Sequence, residues 1–343
     1  MPQNKQTYQS KDIKINLPNG GETAYIPENG LKEAVNIALL TQRPLLLMGE
    51  PGVGKTMLAK AVACEWYGDK YRDHYVEWII KSTSKAQDGL YRYDTLRRLA
   101  DVQMLKAGDE AANDKINNTK LGAEGSYFQR GELSEAIRKS VVLPDGKEQR
   151  CVLLIDEIDK ADIDFPNDLL YELENYAFTI PETGEKVKKP DNFIAPLVII
   201  TSNREKELPP AFLRRCIYFH INFPKEEKLR DILAAHFFNA NTAHVEKAAG
   251  MFVALRKVLQ SRLANSSDKN IGTSEFVDWY GLVHDLCQPS DEKLKGIQQE
   301  MKSQIEEWFE TAPKEFDGIQ SLKNIPFYQV LFKNIETLQI FRS

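Results

Sequence analysis

The sequence has little cysteine: four residues in 343, Cys64, Cys151, Cys216 and Cys287, each more than sixty positions from the next. No CxxC pair exists, and the five histidines form no ligand spacing with these thiols, which excludes a disulfide-stapled scaffold and a zinc-finger-type site. Buried, reduced thiols are the expectation. Long apolar runs are missing too. The longest near-continuous one, Phe193 to Ile200, is far too short to cross a bilayer and contains Pro196. The opening Met-Pro-Gln-Asn-Lys-Gln is polar with no apolar signal segment behind it, so a cytoplasmic protein without membrane insertion is expected. Internal repeats and low-complexity tracts are absent. So is an excess of positive charge: 45 basic against 50 acidic residues leave a net charge of −5. That counts against a nucleic-acid protein whose affinity rests on bulk charge, while a local basic groove stays open.

What is present is an ordinary globular composition, 42% hydrophobic and 28% charged, with length enough for two modest domains. Leu31, Ala34, Val35, Ala38 and Leu39 recur at helical spacing ahead of Pro44. Short apolar runs bounded by turn signals follow: Leu45–Met48, Val76–Ile80, Cys151–Ile155, Leu197–Ile200 and Ile217–Ile221, most of them separated by helix-like stretches. Buried parallel strands alternating with helices predict an α/β fold with a doubly wound sheet. The alternation Ile13–Leu17 reads as an edge strand. After Pro224 only amphipathic helices remain: Lys225–Phe238, His244–Leu263, Ser274–Leu286 and Asp291–Phe309. The expected division is an N-terminal extension over 1–24, an α/β nucleotide-binding core over 25–223, and a helical lid with a C-terminal helical extension over 224–343.

The chemistry begins directly after the first apolar run. Gly49-Glu50-Pro51-Gly52-Val53-Gly54-Lys55-Thr56 is a full match to G-x-x-x-x-G-K-[ST], placed after a strand and before the helix-forming run Met57–Trp66. Glycines let backbone N–H groups turn inward toward phosphate oxygens, and the following helix offers its positive end. Lys55 is expected at the β- and γ-phosphates and the Thr56 hydroxyl on Mg²⁺, with Met57 completing the nucleotide-contacting stretch.

The run Cys151–Ile155 delivers Asp156 and Glu157 at a strand C-terminus, where ligands bind in open α/β sheets. An Asp there can hold the Mg²⁺ hydration shell, and its Glu neighbour can polarise a water against the γ-phosphate. Asp159, Asp162 and Asp164 read as solvated loop or helix-start charges. Leu197–Asn203 ends a second buried strand with a polar side chain, and Asn203 can hold the attacking water between itself and Glu157.

Together Gly49–Thr56, Leu153–Lys160 (LLIDEIDK), Ile200–Asn203 (ITSN) and Leu208–Cys216 (LPPAFLRRC) resemble the AAA+ superfamily, and within it the MoxR family. The turn-rich stretch from Phe178 to Val187 before the Asn-bearing strand agrees with the likeness, which spans about residues 25–285. The resemblance implies an AAA+ P-loop core with a helical lid, ATP and Mg²⁺ as ligands, and ATP hydrolysis. It implies that Asp156 and Glu157 form the Walker B pair, that Asn203 is sensor 1, and that Arg215, with Arg214 beside it, is an arginine finger. It also implies a homo-oligomeric ring, a hexamer, with ATP at subunit boundaries.

Two departures stand out. The family places a sensor 2 arginine near the start of a late helix, but the matching stretch Asn270–Tyr280 carries Ser274 and Glu275 there. Arg256 and Arg262 are the nearest upstream, and sensor 2 is left unassigned. Lys55 to Asp156 is also longer than two strand–helix units need. The surplus, around 106–131, is rich in Ala, Asn, Asp, Lys and Gly and reads as an exposed insertion. In MoxR-like proteins an insertion here faces the ring axis, so Tyr127-Phe128 with Arg130 is either a substrate-gripping tip or a hydrophobic anchor.

Three functions compete. The first is a MoxR-like ATPase that remodels a partner carrying a von Willebrand factor A domain; this chain has no Asp-x-Ser-x-Ser motif, so that partner is a separate polypeptide. The second is a nucleic-acid motor or loader with Arg92, Arg97, Arg98 and Arg130 lining a pore, disfavoured by net acidity. The third is a nucleotide-gated scaffold that hydrolyses slowly.

Overall fold

A computed structural model describes residues 5–10, 13–16, 22–107, 117, 120–203, 206–237, 239–263, 270–287, 297–313, 315–316, 319–322 and 324–342. Five apolar runs form one parallel sheet: β1 Leu45–Met48, β2 Tyr75–Ile79, β3 Val152–Asp156, β4 Leu197–Ser202 and β5 Ile217–His220. Their spatial order is β5-β1-β4-β3-β2. Leu45 pairs with both Ile199 and Ile217, Val152 with both Leu197 and Tyr75. The sheet is covered on both faces, which explains why its central strands read as unbroken apolar runs and not as alternations. Leu45, Leu46, Leu47, Leu153, Leu154, Ile155, Ile199 and Ile200 are all fully buried, each contributing about 1.5–3 kcal/mol by leaving water.

Helices join the strands as the sequence pattern predicts. Lys55–Tyr67 follows β1, Thr95–Lys106 and Glu132–Lys139 lie between β2 and β3, Phe165–Asn175 follows β3, and Pro210–Arg215 leads into β5. An antiparallel hairpin, Phe178–Ile180 with Glu185–Val187, precedes β4. Both β3 and β4 run further than their apolar cores, ending on Asp156 and Ser202. Polar groups thereby emerge together at the carboxyl edge of these two neighbouring strands.

Contacts divide the chain into two compact units. The first comprises Met1–Lys11, Pro27–Met48 and Thr56–His220; the second comprises Asp12–Ile26, Gly49–Lys55 and Ile221–Ser343. The second unit holds a small hairpin, Ile13–Asn16 with Glu22–Tyr25, and the helices Glu226–His236, Thr242–Arg262, Thr273–Cys287, Ile297–Thr311 and Ile335–Arg342. Its core is aromatic. Phe252 stacks on Phe276 with ring centroids 4.2 Å apart. Trp279, fully buried, sends its indole N–H to the Pro326 carbonyl at 2.7 Å, the polar exit a buried Trp requires. The expected helix ends at Phe238 and at 291–296 lie outside the described residues, as does Leu17 of the expected first strand.

In the surplus between β2 and β3 the structure decides between the two readings of the aromatic pair, in favour of the hydrophobic anchor. Positions 108–116 and 118–119 lie outside the described residues, but the aromatic pair does not. Phe128–Arg130 pairs antiparallel with Tyr91–Tyr93. Phe128 stacks on Tyr93 at 4.6 Å, and the Tyr127 hydroxyl donates to Asp101 at 2.7 Å. Tyr127 and Phe128 are 1% and 3% exposed, so they anchor the segment on the first unit and have no free surface to grip a substrate. Aromatic residues in a polar stretch were a signal of burial, not of exposure.

Candidate active site

The first cluster of polar groups sits at the carboxyl ends of β3 and β4 in the first unit. Asp156 ends β3 and receives two hydroxyls on Oδ1: Thr56 donates at 3.0 Å and Thr201 at 2.6 Å. Thr201 is 1% exposed and works twice, since its Oγ1 also accepts the backbone N–H of Glu157 at 2.9 Å. Glu157 leaves the strand with φ 59 and ψ 51, the left-handed region. That conformation costs a residue with a side chain about 1–3 kcal/mol and persists only where surroundings hold it, as the Thr201 bond does here. Its consequence is a sharp turn that separates two adjacent carboxylates: Asp156 stays with the hydroxyls, and Glu157 swings to a different set of partners.

Those partners are Asn203 and Lys160. Asn203 Nδ2 donates to Glu157 Oε1 at 3.2 Å, and Lys160 Nζ pairs with Oε2 at 2.5 Å. Asn203 is held from behind, its backbone N–H donating to Asp159 Oδ2 at 3.0 Å. Asp159, expected as a solvated charge, is therefore corrected: it is 2% exposed and positions Asn203. Asp162 and Asp164 are exposed, as expected.

The phosphate loop, Gly49–Lys55, belongs to the second unit. Gly52 and Gly54 have φ of 78 and 90, a backbone that a side chain would strain and that lets successive N–H groups face inward. Lys55 is 6% exposed, and its Nζ donates to the carbonyls of Gly49 and Glu50, both at 2.8 Å. The ammonium thus lies within its own loop, among the amides that suit phosphate oxygens. Glu50 takes part through its side chain, which pairs with Arg256 at 2.6 Å.

A magnesium ion fits the oxygens present at Thr56 and Asp156. Among the described residues no group of three or more His, Cys, Asp and Glu side chains could hold a metal alone. One carboxylate and one hydroxyl 3.0 Å apart suit Mg²⁺, which keeps several waters and binds through one or two protein oxygens plus substrate phosphates.

Arg214 and Arg215 close the helix Pro210–Arg215 and are exposed. Arg215 Nε pairs with Glu174 Oε1 at 2.9 Å, and Arg43 donates to the carbonyls of Arg214 and Arg215. Neither guanidinium bonds to Asp156, Glu157 or Asn203. Sequence reasoning missed Thr201 and Lys160. Thr201 had a signal, a hydroxyl among aliphatics at a strand end; Lys160 had none beyond its spacing of three from Glu157.

Chemically, the first cluster can hold a metal on one carboxylate and present a second, oriented by an amide, to a water. The model of the ATPase family associated with various cellular activities (AAA) matches residues 45–225, just over half of the chain and the stretch that contains both clusters. No curated protein matches. The matched length and the parallel five-stranded sheet agree, and the chain belongs to the AAA family of ATPases.

Proposed function

We propose that this chain is an ATP-hydrolysing motor of the MoxR type, assembling as a homo-hexameric ring and remodelling a partner protein. In this reading Gly49–Met57 and Asp156 bind ATP with Mg²⁺ on Thr56 and Asp156, Glu157 activates the attacking water, and Asn203 orients it. The single observation that carries the chemistry is the divergence of two adjacent carboxylates. Asp156 lies on the hydroxyls of Thr56 and Thr201, while Glu157 lies on Asn203. One carboxylate for the metal and one for the water is the division that phosphoryl transfer to water needs. The MoxR-type partner, a separate protein with a von Willebrand factor A domain, follows from the resemblance of residues 153–160, 200–203 and 208–216.

The test is ATP turnover and sedimentation on one preparation. Magnesium-dependent turnover that rises with protein concentration, with a six-subunit species in ATP, supports the motor. A monomer that hydrolyses at its full rate at every concentration overturns the ring. An A-domain protein that changes turnover on addition supports the partner.

The slow, gated alternative has one observation in its favour. Lys160 engages Glu157 at 2.5 Å, and an ammonium on that oxygen competes with a water for it. A Lys160→Ala variant with raised basal turnover would support gating.

A further inference from the structure

Arg256 lies in the middle of the helix Thr242–Arg262, 4% exposed, an uncommon place for a permanent charge. Its guanidinium has three partners. Nη2 donates to Glu50 Oε2 at 2.6 Å, Nη1 donates to the Ile271 carbonyl, and the planar face covers the Phe223 ring at 3.4 Å from the centroid. Burial works against the charge, and the Glu50 carboxylate supports it. An arginine so occupied would have to break a buried pair to touch a phosphate, and leaving one partner of such a pair alone is strongly unfavourable.

What Arg256 holds is the phosphate loop. Glu50 supplies the side chain in this pair and also the carbonyl on which Lys55 Nζ rests at 2.8 Å. Ile271, the other acceptor, leads into the start of the helix Thr273–Cys287, and that start is packed on the same loop. A methyl group on Gly272 would stand 3.1 Å from the Pro51 carbonyl, and one on Gly52 would stand 3.3 Å from Ser274 Oγ. Glu275, at the position where the sequence suggested a sensor arginine, points instead at the backbone, accepting the Gly272 N–H at 3.0 Å. One guanidinium therefore ties the loop's side chain to the strap that packs against the loop's backbone.

The geometry points to Arg256 as a positioning residue for nucleotide binding: through Glu50 and Ile271 it holds Gly49–Lys55 in the shape that receives phosphates. This rests on the ATP-binding reading above. Nucleotide affinity then depends on the placement of the helix Thr242–Arg262, so anything that shifts that helix releases the loop and the nucleotide.

The experiment uses the full chain with Glu50→Gln, Arg256→Met, Arg256→Lys and the Glu50→Gln/Arg256→Met double variant, each titrated with a fluorescent ATP analogue and assayed for turnover. A loop in its competent shape one tenth of the time weakens apparent affinity tenfold. Each of Glu50→Gln and Arg256→Met is therefore expected to raise Kd by about tenfold, with the loss falling on KM more than on kcat. The double variant is no worse than the weaker single, because the two act as one unit, and Arg256→Lys restores part of the affinity. If Arg256→Met fails to fold, Glu50→Gln at the more exposed end of the pair carries the test. Affinities within twofold of wild type for both Glu50→Gln and Arg256→Lys overturn the role, as do fully additive losses in the double variant. Absence of ATP binding in wild type overturns the ATPase reading instead. Amide exchange of residues 52–56 without nucleotide then decides the positioning role by itself: faster exchange in Glu50→Gln supports it, and unchanged exchange overturns it.

Discussion

Asn203 and Glu157 meet side chain to side chain, Nδ2 to Oε1 at 3.2 Å, beyond the ends of two strands that are direct neighbours in the sheet. Neither side chain could find the other without help. Glu157 is turned by its left-handed backbone and Asn203 is pinned by Asp159. The Glu157→Gln variant keeps the size and the contact with Asn203 but removes the base. ATP still binds while turnover falls by about 10²-fold or more. Paired binding and single-turnover measurements check this, and surviving turnover would remove Glu157 from the role of water activator.

Thr201 is the group on which both carboxylates depend, donating to Asp156 and accepting from Glu157. Thr201→Val keeps the shape and strands the Glu157 N–H, while Asp156 Oδ1 keeps the Thr56 hydroxyl. An unpaired polar group away from water costs about 1–3 kcal/mol, so chemical denaturation should show a loss of about that size. Turnover should fall with it, since the backbone of Glu157 loses its tether. A variant as stable and active as wild type would show the hydroxyl to be idle.

How much of this was legible beforehand depended on which force decides each feature. The sheet was legible because burial on both faces leaves continuous apolar runs, as in Leu45–Met48 and Leu197–Ile200. The phosphate loop was legible because its chemistry demands fixed residue types at fixed spacing. Tyr127 and Phe128 were ambiguous because composition around 106–131 speaks for exposure, whereas strand pairing with Tyr91–Tyr93 decides the matter and is long-range. Asp159 was misread for a similar reason. Turn preferences favour a solvated Asp, and only the neighbouring strand reveals the Asn203 N–H that draws it inside. Arg256 could be named from sequence but not placed, because its partner Glu50 is 206 residues away.

Phe128 provides a direct test of the anchor reading. Truncating a buried Phe to Ala costs about 3–5 kcal/mol, and Phe128 is 3% exposed against Tyr93 and Tyr91. Phe128→Ala should lower the unfolding midpoint by several degrees. A fully stable Phe128→Ala variant that loses only its coupling to a partner would restore the gripping role.

The thiols give a prediction in pH. Burial pushes Cys151 and Cys216 up to about 12 and Cys64 up to about 11, from 9.0 in each case. The folded state therefore keeps these protons while the unfolded chain releases them first. Their stabilising effect is complete below the unfolded value and is lost as pH rises from about 9 toward 12. At pH 7.5 a thiol-titrating reagent should leave all three unmodified until denaturant is added. Rapid modification of Cys151 in the native protein would contradict its burial.

The last prediction concerns Arg215. Its guanidinium is half exposed and pairs with Glu174, also half exposed, at 2.9 Å. Such a surface pair contributes only about 0–1 kcal/mol, so its removal should spare the fold, and the backbone at Arg214 and Arg215 stays anchored by Arg43. No bond joins Arg215 to Asp156 or Glu157 of its own chain, which suits the finger implied by the MoxR likeness, one that serves the ATP of a neighbouring subunit. An arginine has the permanent charge and planar fork for that task, whereas lysine brings only a point charge. A finger of this kind is worth about 10³–10⁵ in rate. Two variants that fail for different reasons test it. Lys55→Ala subunits lack the phosphate-binding cation but still offer Arg215; Arg215→Ala subunits keep the site but offer no finger. Each alone should be inactive, with Arg215→Ala retaining ATP binding and its melting temperature. Mixed, they should recover part of the turnover, because some interfaces combine an intact site with an intact finger. Mixed rings that form yet stay inactive at every ratio count against a finger acting in trans. Full turnover by Arg215→Ala alone ends the assignment, leaving the Glu174 pair as a surface contact.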